Sequence, residues 1–227
     1  PTSRKPNATP CAGLQPNQTV VSQRGLFVTL EGLDFSGKST LVSTLKPLLV
    51  EQNTPTHFTR EPGGTPVAEK IREILLDPQL DMDPWTEAYL YAAARADHVR
   101  REVSPAIERG ENVFCERHLD SSLAYQGFGR DLGVEAVREL NSWAVGAVVP
   151  DKTFYLRLDV EERARRAERS GAILDRIEKI GADFAERIEA GFEELVRAEP
   201  ERIEVLDATH PPEELAEIVV RTFTERQ

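Results

Sequence analysis

Sulfur is scarce in this chain, long apolar runs are missing, and positive charge is in deficit. Its 227 residues include two cysteines, Cys11 and Cys115, and one methionine. Two thiols that far apart make neither a disulfide framework nor a zinc cluster. No apolar run approaches the ~20 residues that cross a bilayer, so no membrane partner is expected. Against 39 aspartates and glutamates stand 28 lysines and arginines, a formal net charge of −11. A surface that acidic repels the backbone of nucleic acid, so an anionic ligand has to be met by a local positive pocket. Acid is itself absent at the start: the first carboxylate is Glu31.

What is present is an ordinary globular composition, 40% hydrophobic and 30% charged, with length enough for a sizeable core. Residues 1–24 differ from the rest. They are rich in Pro, Asn, Thr, Gln and Ser, and Arg4, Lys5 and Arg24 are their only charges. So little apolar surface does not offset the entropy of ordering, and a disordered tail is expected. The tail has neither the apolar centre of a secretory signal nor the arginine-rich amphipathic period of a transit peptide, which points to the cytoplasm.

From Gly25 onward β-type runs alternate with helical periods. The β runs fall at 26–30, 57–59, 113–115, 153–158 and 203–206. Leu41, Val42, Leu45, Leu48 and Leu49 recur at helical spacing, although Pro47 predicts a kink or an early end there. Further helical stretches lie at 67–76, 85–108, 134–145, 184–197 and 213–223. Five strands separated by helices indicate an α/β fold with a parallel sheet covered on both faces. No repeat or second composition break interrupts residues 25–227, which are read as one domain.

The first β run leads into Gly32-Leu33-Asp34-Phe35-Ser36-Gly37-Lys38-Ser39, followed by Thr40 and a helix. This is G-x-x-x-x-G-K-[ST] in its proper strand-to-helix setting. Glycines let backbone N–H groups curl around a phosphate, and the helix N-terminus adds positive potential. Lys38 would reach the outer phosphates of ATP, and the Ser39 hydroxyl would ligate Mg²⁺. No Asn-Lys-x-Asp guanine reader follows, which argues against a GTPase.

Further strings narrow the class. Thr59-Arg60-Glu61-Pro62-Gly63-Gly64-Thr65 follows the second β run. Tyr91 and Arg95 stand at i, i+4, one face of a helix. Cys115-Glu116-Arg117-His118 runs on to Asp120-Ser121-Ser122-Leu123-Ala124-Tyr125-Gln126-Gly127. Asp175-Arg176-Ile177-Glu178 and Leu206-Asp207-Ala208 come later. In these motifs, their order and their spacing, the chain resembles thymidylate kinases over residues 26–223.

The resemblance implies the nucleoside monophosphate kinase fold, a P-loop NTPase-type sheet with a short lid at about 160–178. It also implies a homodimer and transfer of the γ-phosphoryl group of ATP to dTMP, giving dTDP. The acceptor phosphate has a second pKa near 6 and needs no general base. Catalysis then rests on positioning and charge stabilisation. By position, Arg60 and Arg117 match clamps on the dTMP phosphate, Tyr91 the ring that stacks on thymine, and Arg95 the reader of base O4. Ser121 and Ser122 match base-edge contacts, Tyr125 the side chain that crowds the sugar, and Asp34 the carboxylate near the 3′-OH. Gln126 is expected one layer behind them, and Asp207 near ATP. His98 and His118 are expected to be structural. Arg95 could instead pair with Asp97 or Glu87 on the surface.

Phe35 occupies a P-loop position where the family often has arginine, as in the branch whose lid supplies the cation. Arg166 and Arg169, in a cluster with Arg163 and Arg165, are therefore expected to close over ATP. Glu161–Arg165 and Glu162–Arg166 are also i, i+4 pairs of the kind that decorate a solvated helix. Glu116 stands where the family usually has Asp, one methylene shorter, to hold Mg²⁺. Two alternatives remain open on sequence alone: a related kinase for another nucleotide or nucleoside, and a nucleotide-binding regulator without turnover.

Overall fold

A computed structural model describes residues 24–171, 175–177 and 180–224. The expected tail up to residue 23, lid residues 172–174 and Glu178 lie outside the described residues. Arg24 does not belong with the tail: its guanidinium meets the Asp151 carboxylate at 2.9 Å, and Asp151 also accepts the Phe27 N–H.

Five parallel strands form one sheet: β1 (Phe27–Glu31), β2 (Thr56–Arg60), β3 (Asn112–Glu116), β4 (Lys152–Arg157) and β5 (Ile203–Asp207). Their order is β2-β3-β1-β4-β5. Every residue of β1 is buried, as the centre of a doubly covered sheet requires. Alternation along the strands sorts the core into layers. Val28, Leu30, Phe114, Phe154 and Leu156 face α1 (Lys38–Glu51) and α9 (Pro212–Thr224), whose Leu41, Leu45, Leu49, Leu215 and Val219 complete that layer. On the other face, Tyr155 and Ile203 pack with Phe184, Ile188, Phe192 and Leu195 of α8 (Ala182–Ala198). Beside them, Phe27, Val113 and Cys115 meet Val103, Ala106 and Ile107.

Helix starts follow the chemistry of the chain. At α2 (Pro66–Leu76) the Thr65 hydroxyl accepts the Ala68 N–H and proline fills the first turn; Asp83 caps α3 (Pro84–His98) in the same way. The predicted 85–108 helix is continuous but not uniform. Between α3 and α4 (Ser104–Glu108), Val99–Val103 widens into a π-helical turn. A second wide turn, Leu123–Gly129, follows α5 (Leu119–Ser122). Next come α6 (Val134–Val145) and α7 (Val160–Ser170), the latter stopped by Gly171 at φ 59. Pro47 does not end α1 early. The helix continues to Glu51 with Pro47 on the exposed side, where the ring meets water instead of a packed neighbour.

The topology puts the strand ends together. The connection leaving β1 goes to the β2 side and the one leaving β3 crosses to β4, so the sheet's switch point lies at β1, where open α/β sheets bind ligands. The register sets Leu30 opposite Glu116 and Glu116 opposite Arg60, placing Glu31, Arg60 and Glu116 at one edge.

Candidate active site

The loop after β1 opens a cleft of about 770 Å³ lined by Asp34 to Leu41, Arg60, Glu61, Arg72, Glu116, Arg117, Arg166, Ala208 and His210, among others. A narrower pocket continues from it, with Tyr91, Arg95, His118, Ser121, Ser122, Tyr125, Gln126 and Asp175 in its wall. Asp34, Glu61, Arg72 and Arg117 line both. The two spaces therefore meet between two guanidiniums and two carboxylates.

In the P-loop end, Gly32 and Leu33 contribute carbonyls: the Lys38 ammonium donates to them at 3.0 and 2.8 Å. Lys38 is buried, and its pKa is pushed down to about 8, by burial and then by the charge of Arg117, against Asp34, Glu31 and Glu116. Phe35 and Gly37 have positive φ, 67 and 100. For Gly37 that is free of strain, whereas Phe35 adopts a conformation its Cβ disfavours. The Ser39 hydroxyl donates to Glu116 Oε2 at 2.6 Å. The extra methylene of Glu116, relative to aspartate, thus spans the gap from the end of β3 to the P-loop. Thr40 lies in the same wall.

Arg117 sits at the junction. It donates to the Gly32 carbonyl at 2.9 Å, to Ser121 Oγ at 3.1 Å and to Asp34 Oδ1 at 2.5 Å, and its guanidinium lies 5.0 Å from the Tyr125 ring centre. The Asp34 carboxyl is held down at about 2: burial works against ionisation, and Arg117 and Lys38 outweigh it. Arg60 lies at the rim, paired with Glu69 at 3.0 Å. Arg72, on α2, donates to the Pro62 carbonyl at 2.9 Å. Burial, followed by the nearby charge of Arg60, lowers its pKa, the mark of cations converging on one space. Arg72 was not among the expected site residues, since a lone arginine on a helix carries no spacing signal.

Arg95 is buried, and it does not pair with Asp97 or Glu87 as the surface alternative has it. Its Nε donates to Glu61 at 2.8 Å. One terminal nitrogen donates to Ser122 at 3.0 Å and Asn141 at 2.5 Å, and the other to the His118 carbonyl at 2.9 Å. A guanidinium has five N–H groups, so a single one is left for the pocket. Glu61 also holds His98 at 2.8 Å, and His98 reaches Thr59. His98 is thus structural, as expected. His118 is buried too; among the described residues neither ring nitrogen is hydrogen-bonded, Nδ1 lying 3.8 Å from Glu61 Oε2, and burial pushes its pKa down to about 4. Ser121 is less free than a base contact should be: its proton goes to Glu31 at 2.5 Å.

Besides Gly32 and Leu33, whose carbonyls hold Lys38 behind the wall, two expected residues do not line the cleft. Asp207 is exposed and holds the turn after β5, accepting from the Thr209 N–H and hydroxyl; its neighbours Ala208 and His210 line the cleft instead. Arg169 is exposed and paired with Glu162 at 2.8 Å. One turn earlier, Arg166 is drawn in by the Ala208 carbonyl at 2.7 Å and Ser36 carbonyl at 3.4 Å. Gln126, expected one layer back, lines the narrower pocket directly.

Glu31 carries a pH-dependent consequence. It accepts the His118 N–H at 2.7 Å as well as the Ser121 proton. Its pKa is pushed up to about 7, by burial first and then by the Asp120 carboxylate. A carboxyl whose pKa rises on folding stabilises the folded state fully below its unfolded value. That contribution fades as pH rises through about 7. Relative to wild type, Glu31→Gln should therefore gain stability between about pH 4.5 and 8, by up to a few kcal/mol. Urea unfolding at each pH checks this; a stability difference that does not vary with pH contradicts it.

Comparison with known proteins agrees with the geometry. The thymidylate kinase family model matches residues 30–219. A thymidylate kinase of Symbiobacterium thermophilum is 45% identical over 201 residues, which cover 88% of this chain and 93% of that protein. One from Deinococcus radiodurans is 43% identical, covering 89% of this chain and 98% of that protein. The crystal structure of thymidylate kinase from Ehrlichia chaffeensis superposes with a TM-score of 0.69 at 27% identity, over 89% of this chain and 99% of that one. The family match spans most of the described fold, and so the chain belongs to the thymidylate kinase family.

Proposed function

We propose that the two ends of the cleft divide the work of an ATP-dependent dTMP kinase. ATP lies along the P-loop and dTMP in the narrower pocket, and their phosphates meet in line at Arg72 and Arg117. The single observation that carries this reading is the junction itself, a P-loop cleft and an aromatic, polar pocket sharing two arginines. Two polyanions repel each other, and fixed guanidiniums in a water-poor site offset that repulsion without reorganising as charge moves. Planar forks also hold two phosphate oxygens at once. Arg60 and Arg117 grip the acceptor phosphate together with Arg72. Lys38 and Arg166 face the donor, with Arg169 held one turn away on the same Glu162.

Tyr91 offers its ring to the base, and Arg95 offers its last free N–H to base O4. Tyr125 and Asp34 form the sugar end, where Asp34 already engages Arg117. Ser39 and Glu116 present a hydroxyl and a carboxylate, hard oxygen donors that suit Mg²⁺. An ion held by them would supply charge neutralisation for the donor phosphates.

The experiment is a panel of nucleoside monophosphates with ATP and Mg²⁺, read as nucleoside diphosphate formed. dTMP should give dTDP faster than any other monophosphate; no dTDP would overturn the reading, and preference for another monophosphate would favour a related kinase. Arg72→Met should lower kcat/KM for dTMP roughly 100-fold, the scale of one lost charge-stabilising donor, with ATP affinity within about threefold of wild type.

A homodimer in the cytoplasm completes the proposal. Tyr89 on α3 and Trp143 on α6 are 60% and 86% exposed. These helices lie side by side, which suits an apolar face shared with a second copy. Among the described residues no helix is long and apolar enough to cross a membrane, and Cys115 is a free, buried thiol. Sedimentation should give twice the chain mass of 25.4 kDa; a monomer at micromolar concentration contradicts it.

A further inference from the structure

Glu87 is among the most enclosed charges of the chain, and none of the motifs in the sequence accounts for it. It lies in the first turns of α3 with no exposed surface. Its Oε1 accepts from Gln126 Nε2 at 2.9 Å and from Arg130 Nε at 3.2 Å. Its Oε2 accepts from Arg130 and Arg176, each at 2.7 Å. Four donors fill the four acceptor positions of a carboxylate. Arg176 in turn donates to the Leu75 carbonyl at the end of α2. The group thus ties α2, α3, the wide turn Leu123–Gly129 and the end of the lid segment at one point.

The consequence falls on Gln126. An amide side chain can present either its NH₂ or its carbonyl, and its neighbours decide which. Beside Glu87 only the NH₂ is tolerated, since a carbonyl oxygen there would face a carboxylate oxygen. The Gln126 carbonyl is then left without a hydrogen-bond partner among the described residues, in the wall of the narrower pocket. Arg95, in the same wall, retains one N–H.

We propose that Glu87 is a positioning residue for base selection: by holding the Gln126 amide in one orientation, it makes the pocket present an acceptor beside the Arg95 donor. A thymine edge offers the complement, an O4 acceptor next to an N3–H donor. A cytosine edge offers the reverse, an amino donor next to a bare N3 acceptor, and is rejected on both counts. The size of such rejection is large because the pocket's polar groups would be left unpaired.

This inference rests on the dTMP kinase reading, and its test separates the two. Wild type, Glu87→Gln and Gln126→Ala are assayed with dTMP, dUMP and 5-methyl-dCMP, the last differing from dTMP only at positions 3 and 4 of the base. In Glu87→Gln the kcat/KM ratio of dTMP over 5-methyl-dCMP should fall at least tenfold, chiefly through KM. The ratio of dTMP over dUMP, which reports only the methyl group, should stay within twofold. Gln126→Ala should lower the first ratio equally, and adding Glu87→Gln to it should change nothing more. Because Gln126→Ala leaves the buried ion cluster intact, it decides the matter even if Glu87→Gln does not fold. An unchanged 5-methyl-dCMP ratio in either folded variant overturns the inference, as does a parallel fall of both ratios. Wild type that forms no dTDP overturns the function itself.

Discussion

Arginines of a nucleotide site have to be aimed before any nucleotide arrives, and here carboxylates within the fold aim them. Asp34 holds Arg117, Glu61 holds Arg95, and Glu87 holds Arg130 and Arg176. A buried ion unpaired costs several kcal/mol, and a pair of good geometry offsets that cost. Each carboxylate also leaves part of its guanidinium free. Arg95 keeps one donor of five, so what it offers the pocket is a directed contact and not a diffuse charge.

The same arrangement reconciles a net charge of −11 with a taste for anionic ligands. Acid covers the outside and pins cations inside. Long-range attraction is therefore weak, and recognition falls to short contacts in the cleft. Lys38, lowered to about 8, sits among Asp34, Glu31 and Glu116, whose charges keep it cationic near neutrality. The P-loop end and the acceptor end are built alike, from backbone carbonyls and carboxylates that orient positive groups toward a common centre.

Much of this was legible in the chain. Contiguous strings at strand ends gave Lys38, Ser39, Glu116, Arg117 and the serines after them, because a parallel sheet delivers all its strand ends to one edge. Tyr91 and Arg95 were legible from helical spacing. What the chain did not disclose are partners chosen across the fold. Arg72 comes to the junction through the packing of α2, and Glu61, in the loop after β2, is shared between Arg95 and His98 of α3. Glu87 entered the sequence reading only as an alternative surface partner of Arg95, and in the fold it accepts from Gln126, Arg130 and Arg176. Asp207 and Arg169 are instead engaged by near neighbours in the chain, Asp207 by Thr209 two residues on and Arg169 by Glu162 two helical turns back. The wide turns at Val99–Val103 and Leu123–Gly129 are invisible to a 3.6-residue period, yet the second of them delivers Tyr125 and Gln126 to the pocket.

The central claim is that two phosphate chains meet end to end between Arg72 and Arg117. Calorimetric titration with adenosine and thymidine joined by five phosphates tests it most directly, because that molecule spans both pockets only if they are in line. The account predicts one site per chain and affinity at least 100-fold above that of ATP or dTMP alone. Binding no tighter than the better single nucleotide would contradict it.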